Sequence, residues 1–302
     1  MIALVTGSAG FVGRHTVRAL RDRGWDVYGI DLQLSADCTI ASVSDVRHFF
    51  RLDDRRFDLV VHCAAVVGGR TMIDGDPLTL AAEDLSIDAE LFRWVLRTRP
   101  GRLVYFSSSA AYPTWLQTGD PPYTLTEADI DLRDGHHLGR PDQTYGWVKL
   151  TGEMLAQHAV DAGIPVHVFR PFSGYGGDQA LDYPFPSIIA RACQRVDPLP
   201  VWSDTVRDFV HIDDVVATVL AAVEADACAP VNICTGRATS FTELARLAAD
   251  AVGYTPEIEV IGGPTGVQHR VGDPTLLHTI RRPVVELEDG VARAVAAWKE
   301  AA

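Results

Sequence analysis

The feature that most constrains this chain is its opening. The apolar run Ile2–Thr6 leads directly into Gly7-Ser-Ala-Gly10-Phe-Val-Gly13, and a helical pattern carrying Val17 and Leu20 on one side follows. A strand, a glycine-rich turn and a helix in that order present unpaired backbone N–H groups at the positive end of a helix dipole, a ready site for phosphate. Glycine is needed there for the tight turn, for close approach of backbone to a pyrophosphate, and for packing of helix on strand. The spacing of the first two glycines is one residue longer than in the common G-x-G-x-x-G form, so the surrounding strand and helix carry the assignment. The second strand, Asp26–Asp31, ends on a carboxylate. At that place a carboxylate accepts hydrogen bonds from both hydroxyls of an adenosine ribose and repels a 2′-phosphate, which favours NAD over NADP. The cofactor contacts expected here are Gly7, Gly10, Phe11, Val12, Gly13, Asp31 and Leu32.

Further β-branched runs at 58–64, 102–107 and 165–170 alternate with helical patterns at 13–23, 85–97 and 145–162. Such alternation predicts parallel βαβ units, hence an α/β fold with a Rossmann-type doubly wound parallel sheet. After about residue 170 the texture changes to loops rich in Gly, Pro, Tyr and Asp, followed by a strand at 231–234, a helix at 239–252 capped by Ser240, and a terminal helix at 286–299. The expected organisation is a cofactor-binding domain over 1–170, with a returning strand near 208–235, and a smaller C-terminal α/β substrate-binding part from 171–207 and 236–302.

Charge narrows the partners. A net charge of −13 over 302 residues argues against nucleic acid or an anionic membrane as the main partner. The first residues carry no basic leader, and no apolar run approaches the roughly 18 residues that span a bilayer. Cys38, Cys63, Cys193, Cys228 and Cys234 are odd in number and lack C-x-x-C spacing, so they read as reduced thiols of a cytoplasmic protein with neither disulfides nor a metal site.

Two later segments carry chemistry. Tyr145-Gly-Trp-Val-Lys149 places a phenol and an ammonium four residues apart on a predicted helix, hence on one face. A free tyrosine, with a pKa near 10, is a poor base at neutral pH, and a fixed cation beside it favours the phenolate that accepts a carbinol proton. The fifth strand runs into Ser107-Ser108-Ser109-Ala-Ala-Tyr112, hydroxyls at the carboxyl edge of a parallel sheet where ligands of such sheets bind. His62-Cys-Ala64-Ala65 closes the fourth strand with small residues against which a cofactor can lie; His62 itself reads as a packed histidine.

The glycine turn, Asp31, the triple serine and Y-x-x-x-K, in this order, resemble the extended short-chain dehydrogenase/reductases, the NAD-dependent epimerase/dehydratase group. Arg170-Pro-Phe-Ser-Gly-Tyr-Gly176, Arg207-Asp-Phe-Val-His-Ile-Asp-Asp214 and Val231-Asn-Ile-Cys-Thr-Gly236 resemble further family segments, so the likeness covers nearly the whole chain. It implies Tyr145, Lys149 and Ser108 as the catalytic set, with Ala64, Ala65, Ser107, Tyr145, Lys149 and Pro171 also against the cofactor. It implies a nucleotide-diphosphate sugar as substrate, met by Ser109, Tyr112, Ser173, Arg207 and Arg270, and a homodimer formed through the Tyr145 helix and the one before it. Two departures stand out: Ser173 replaces the family's asparagine, and Arg270-Val-Gly-Asp273 sits in a contracted version of the family's R-x-G-D loop.

The resemblance also sorts reactions. Relatives that dehydrate or decarboxylate the sugar carry acids near the end of the serine motif, where this chain has Ser109 and Ala110. The 3,5-epimerases of GDP-sugars place a cysteine at the Ala110 position, although residues 64–69, 108–113 and 141–146 otherwise look like that branch. What remains is hydride transfer alone, for which C4 epimerisation through a transient 4-keto sugar is the leading expectation. A nucleotide-sugar dehydrogenase or ketoreductase, or a GDP-sugar epimerase, is the alternative. Residues 179–191 are expected to help choose base and sugar.

Overall fold

The computed structural model describes residues 1–35, 37–67, 74–133, 139–226, 229–263 and 266–301; Gly68, Gly69 and Cys228 lie outside them. Strand–helix units fill the first half: β1 (Ile2–Thr6), α1 (Phe11–Asp22), β2 (Asp26–Asp31), β3 (Ile40–Val43), α2 (Val46–Leu52), β4 (Leu59–His62), α3 (Pro77–Thr98), β5 (Leu103–Phe106), α4 (Gln143–Asp161) and β6 (Val166–Pro171). Beyond them come β7 (Ser173–Tyr175), α5 (Pro184–Cys193), β8 (Leu199–Val201), β9 (Val206–Arg207), β10 (Phe209–His211), α6 (Ile212–Glu224) and β11 (Val231–Ile233). The chain ends with β12 (Thr239–Ser240), α7 (Phe241–Val252), β13 (Ile258–Val260), β14 (His269–Arg270), α8 (Thr275–Ile280) and α9 (Leu287–Ala301).

Seven strands form one sheet in the order β11-β6-β5-β4-β1-β2-β3, and every neighbouring pair is parallel. The direction of winding reverses between β1 and β4, which opens a crevice beyond the carboxyl ends of those strands. Helices cover both faces, so successive strand residues are buried on opposite sides. Val5, Val61 and Val104 pack with Val17, Ile212, Val216 and Leu220 under α1 and α6. Leu4, Val60 and Leu103 pack with Phe50, Leu91, Trp94 and Val95 under α2, α3 and α4. Burial on both faces explains why these strands read as unbroken apolar runs. A separate core joins Phe185, Ile188 and Ile189 of α5 to Leu244, Ala248, Val291 and Val295 of α7 and α9.

Two differences from the sequence reading have local causes. Helix α3 begins at Pro77, eight residues earlier than the periodicity suggested, because the Asp76 carboxylate accepts from Thr79 N and proline occupies the first turn. The short pair β3 and α2 lacks the length for a periodic signal. Ser240 caps α7 as read, its hydroxyl accepting from Glu243 N. Among the described residues no helix is long and apolar enough to cross a membrane.

Candidate active site

The turn after β1 is shaped by side chains that are absent. Gly7 has φ +66°, and a Cβ there would lie 2.7 Å from Ala64 N; a Cβ on Gly13 would lie 1.9 Å from Gly7 O. Gly10 sits at the N-cap of α1 with no side-chain cap, and the first turn contains no acidic residue. The helix therefore presents open N–H donors and no competing negative charge, which suits a diphosphate. The Asp31 carboxylate stands at the lip, accepting from Ala9 N at 3.0 Å and from Gln33 N at 3.1 Å. Leu32 is exposed beside it, while Phe11, Val12, Ala64 and Ala65 are half-buried along the crevice. Shape, open donors and carboxylate together fit NAD.

The corner that carries the expected catalytic residues joins the end of β5 to the start of α4. Asp142 N donates to Ala110 O at 2.9 Å. A Cβ on Gly146 would lie 2.3 Å from that same oxygen, so the first turn of α4 rests on the turn Ser109–Ala111. Ser108 is half-buried, and its Oγ accepts from Ala110 N at 3.1 Å. Capping the turn thus falls to Ser108 itself, and its hydroxyl proton is still available to a ligand oxygen. Tyr145 is half-buried; Lys149, one turn on, is only 6% exposed. Lys149 Nζ lies 5.6 Å from the ring centre of Tyr145 and 5.6 Å from that of Tyr105. Burial alone draws the Lys149 pKa down, but the electrostatic influence of Tyr145, Asp88 and Asp84 outweighs it and holds the ammonium above its ordinary value.

Behind the corner lies a polar layer the sequence reading passed over. Tyr105 OH donates to Asp88 Oδ2 at 2.6 Å, and His62 lies 3.5 Å from Asp88 Oδ1 and 2.8 Å from Thr6 Oγ1. His62 is thus a packed histidine. Asp84 accepts from Val66 N at 2.5 Å, and burial raises its pKa. The available signal was Asp84 and Asp88, four apart on the face of α3 that also buries Leu80, Leu91 and Val95.

Two expected ligand contacts turn their hydroxyls to partners within the fold. Ser107 is 2% exposed and its hydroxyl donates to Glu153 Oε1, so the side chain faces the core. Tyr112 is fully buried; its hydroxyl donates to Asn232 Oδ1 at 2.7 Å and accepts from Arg170 Nη1 at 3.1 Å, so it braces β6 and β11. Arg170 closes this network with a two-pronged pairing to Glu153 at 2.9 and 2.7 Å, both side chains 1% exposed. Ser109 is likewise buried, at 5% exposure.

The remaining expected residues lie at the end of β6 and beyond it. Pro171 ends β6 opposite Ile233, and Ser173 opens β7 with its N–H donating to Asp208 O. Arg207 and Arg270 are direct register partners on the parallel strands β9 and β14. Arg207 Nη1 donates to Val206 O and Val267 O. Arg270 Nε donates to Gln117 Oε1 at 2.6 Å and Nη2 to Asp142 Oδ2 at 2.7 Å. Asp273 accepts from Thr275 N at the start of α8. From α1, Arg14 Nε and His15 Nε2 reach Asp178 Oδ2 at 2.8 and 3.0 Å. Burial raises the Asp178 pKa, but these two partners outweigh it and hold the carboxyl well below its usual range.

A doubly wound parallel sheet with a glycine cradle open at its carboxyl edge, and with Tyr145 and Lys149 on the helix that rests on the turn after Ser108, has the architecture of the NAD-dependent α/β enzymes. The chain belongs to the NAD dependent epimerase/dehydratase family, whose model matches residues 3–234, and its cofactor is NAD. It is 29% identical to the dTDP-4-dehydro-6-deoxy-D-allose reductase of Streptomyces bikiniensis, over 92% of this chain and 89% of that one. It is 27% identical to GDP-mannose 3,5-epimerase 1 of Oryza sativa subsp. indica, over 95% of this chain and 79% of the relative. The fold superposes on the UDP-glucose 4-epimerase of Thermus thermophilus, solved with NAD, with a TM-score of 0.84, 22% identity and full coverage of both chains.

Proposed function

We propose that this chain is a nucleotide-sugar epimerase acting at C4 through a transient 4-keto sugar. The observation that carries this reading is the corner itself. Tyr145 and Lys149 share one face of α4, whose first turn rests on the turn after Ser108, while the adjoining Ser109 and Ala110 are buried and offer no carboxylate or thiol for elimination or for a second epimerisation. NAD, when bound, supplies the hydride acceptor. Tyr145 takes the carbinol proton, and the buried Lys149 ammonium stabilises the charge that develops on the phenol oxygen. Ser108 donates to the sugar oxygen as it becomes a carbonyl. The turned-over ketone would take the hydride back on its opposite face while Tyr145 returns its proton to the C4 oxygen, which completes the inversion.

Arg207 and Arg270 are the proposed cations for the substrate diphosphate, where planar forks suit paired phosphate oxygens. Residues 1–170 would hold NAD, and residues 171–207 and 236–302 the nucleotide sugar. A homodimer through α3 and α4 fits the apolar side chains these neighbouring helices expose: Leu78, Leu85 and Leu96 on one, Trp147 and Met154 on the other. A cytoplasmic setting accords with the cysteine usage. Sedimentation velocity tests the dimer, with a monomer at micromolar concentration overturning it.

A second reading is favoured by one observation, the 29% identity to a 4-keto-sugar reductase over most of the chain. Net redox turnover and epimerisation separate cleanly in one assay. Protein purified without added cofactor is analysed for bound NAD, then given UDP-, GDP- and dTDP-hexoses. Near-stoichiometric NAD and inversion with no steady change at 340 nm support the epimerase. Sustained net formation or consumption of NADH replaces it with the reductase or dehydrogenase.

A further inference from the structure

The start of the catalytic helix is held in an unusual state. Asp142 occupies the N-cap of α4, a position where aspartate ordinarily accepts from the helix's own N–H groups, yet its side chain makes no capping bond. Its carboxylate is turned instead to Arg270 Nη2, 2.7 Å away and 128 residues further along the chain. Both side chains are 12% exposed, so the pairing is sheltered from solvent. The next residue, Gln143, has φ +59°, a left-handed conformation that non-glycine residues adopt rarely and only where the surroundings impose it. Two residues later comes Tyr145.

Arg270 is itself fixed from the other side. Its Nε donates to Gln117 Oε1, and Gln117, 1% exposed, is oriented by donating its amide to the carbonyls of Tyr112 and Pro113 at 3.1 Å each. Leu125 N donates to Val271 O, and Asp273 N to Leu125 O, so the segment just after Arg270 is stitched to Leu125. A single guanidinium therefore links the C-terminal part, the segment after the serine turn and the N-cap of the helix that carries Tyr145. In the same register it stands beside Arg207.

We propose that Arg270 is a positioning residue for Tyr145, acting through Asp142, and that a nucleoside diphosphate at the Arg207–Arg270 pair competes with Asp142 for the same guanidinium. Substrate arrival is thereby coupled to the placement of the phenol. The diphosphate must share Arg270 with Asp142, so the contact that holds the start of α4 in place for Tyr145 also weakens binding. The coupling rests on the nucleotide-sugar reading above, and it predicts opposite movements of binding and turnover.

The test uses the NAD-bound protein, titrated by calorimetry with UDP and with GDP, and assayed with whichever nucleotide hexose turns over. Asp142→Asn removes the competing charge but keeps the shape. Diphosphate binding is expected to tighten about five- to tenfold, the range of an ordinary coupling between sites. Turnover is expected to fall about tenfold or more because the phenol is misplaced. Damage to the fold alone would weaken both, and thermal unfolding with NAD present checks that the variant is intact. Arg270→Lys keeps the charge but loses the fork; it should bind the diphosphate more weakly, and its loss of turnover should not add to that of Asp142→Asn in the double variant. If the parent binds UDP or GDP while Asp142→Asn keeps its affinity or its turnover unchanged, the coupling is wrong and the substrate reading stands. If the parent binds neither diphosphate, the substrate reading falls and takes the coupling with it.

Discussion

At the carboxyl edge of the sheet, the turn after β1 is shaped by side chains that are missing, whereas the corner after β5 is held by side chains whose partners come from far along the chain. Gly7 and Gly13 make a cradle because any Cβ would strike backbone within the same short stretch or the loop after β4. The start of α4, which carries Tyr145, is held against the turn after Ser108 because Asp142 is bonded to Ala110 and Arg270, while Arg170 and Glu153 pair beneath it. The first kind of site tolerates almost no addition. The second tolerates little removal. Substitutions of opposite sense should therefore damage the two regions in different ways.

The largest effect is expected at the reacting group. Tyr145→Phe should lower hydride transfer by at least about a hundredfold, the usual weight of a positioned acid–base group, while NAD titration remains as in the parent. Turnover surviving in that variant would place the chemistry elsewhere. Next comes removal below the corner: Glu153→Gln leaves the fully buried Arg170 without its counter-charge and should cost about 3–5 kcal/mol in urea unfolding. A cost under about 1 kcal/mol would show the network to be slack.

Addition to the cradle ranks third. Gly13→Ala forces a methyl into Gly7 O and should destabilise by about 1–3 kcal/mol, with NAD binding more affected than any property of the Tyr145 corner. Unchanged NAD affinity would mean that the turn adapts. The smallest effect is expected where α1 meets the C-terminal part, at the partly exposed Asp178. Asp178→Asn should cost under about 1 kcal/mol at neutral pH after solvent screening. Because its partners hold the folded Asp178 pKa below the unfolded one, that stability is present in full above the unfolded value near pH 4 and is lost as pH falls through the folded value. Parent and variant should converge in thermal midpoint at low pH and differ most near neutrality.

How much of this was legible beforehand follows from distance along the chain. The cradle and the Tyr145–Lys149 pair lie within single local segments, so spacing alone reveals them. The homologous pattern also marked Ser107, Tyr112 and Arg270, but it says nothing of where their hydroxyls and guanidinium turn. Ser107 meets Glu153 across 46 positions, and Tyr112 meets Asn232 across 120. Asp142 carried no signal at all, since an aspartate before a helix reads as an ordinary cap.

The amino-acid order by itself determined the parallel α/β frame, the glycine turn after β1, the carboxylate that ends β2 and the phenol–ammonium pair, because strand alternation, glycine spacing and helical repeat act over a few residues. Only the tertiary structure decided which hydroxyls face the crevice, which brace the core, and which remote cation holds the helix bearing Tyr145. Those outcomes depend on burial: a polar group removed from water must find its partner wherever the fold happens to bring one.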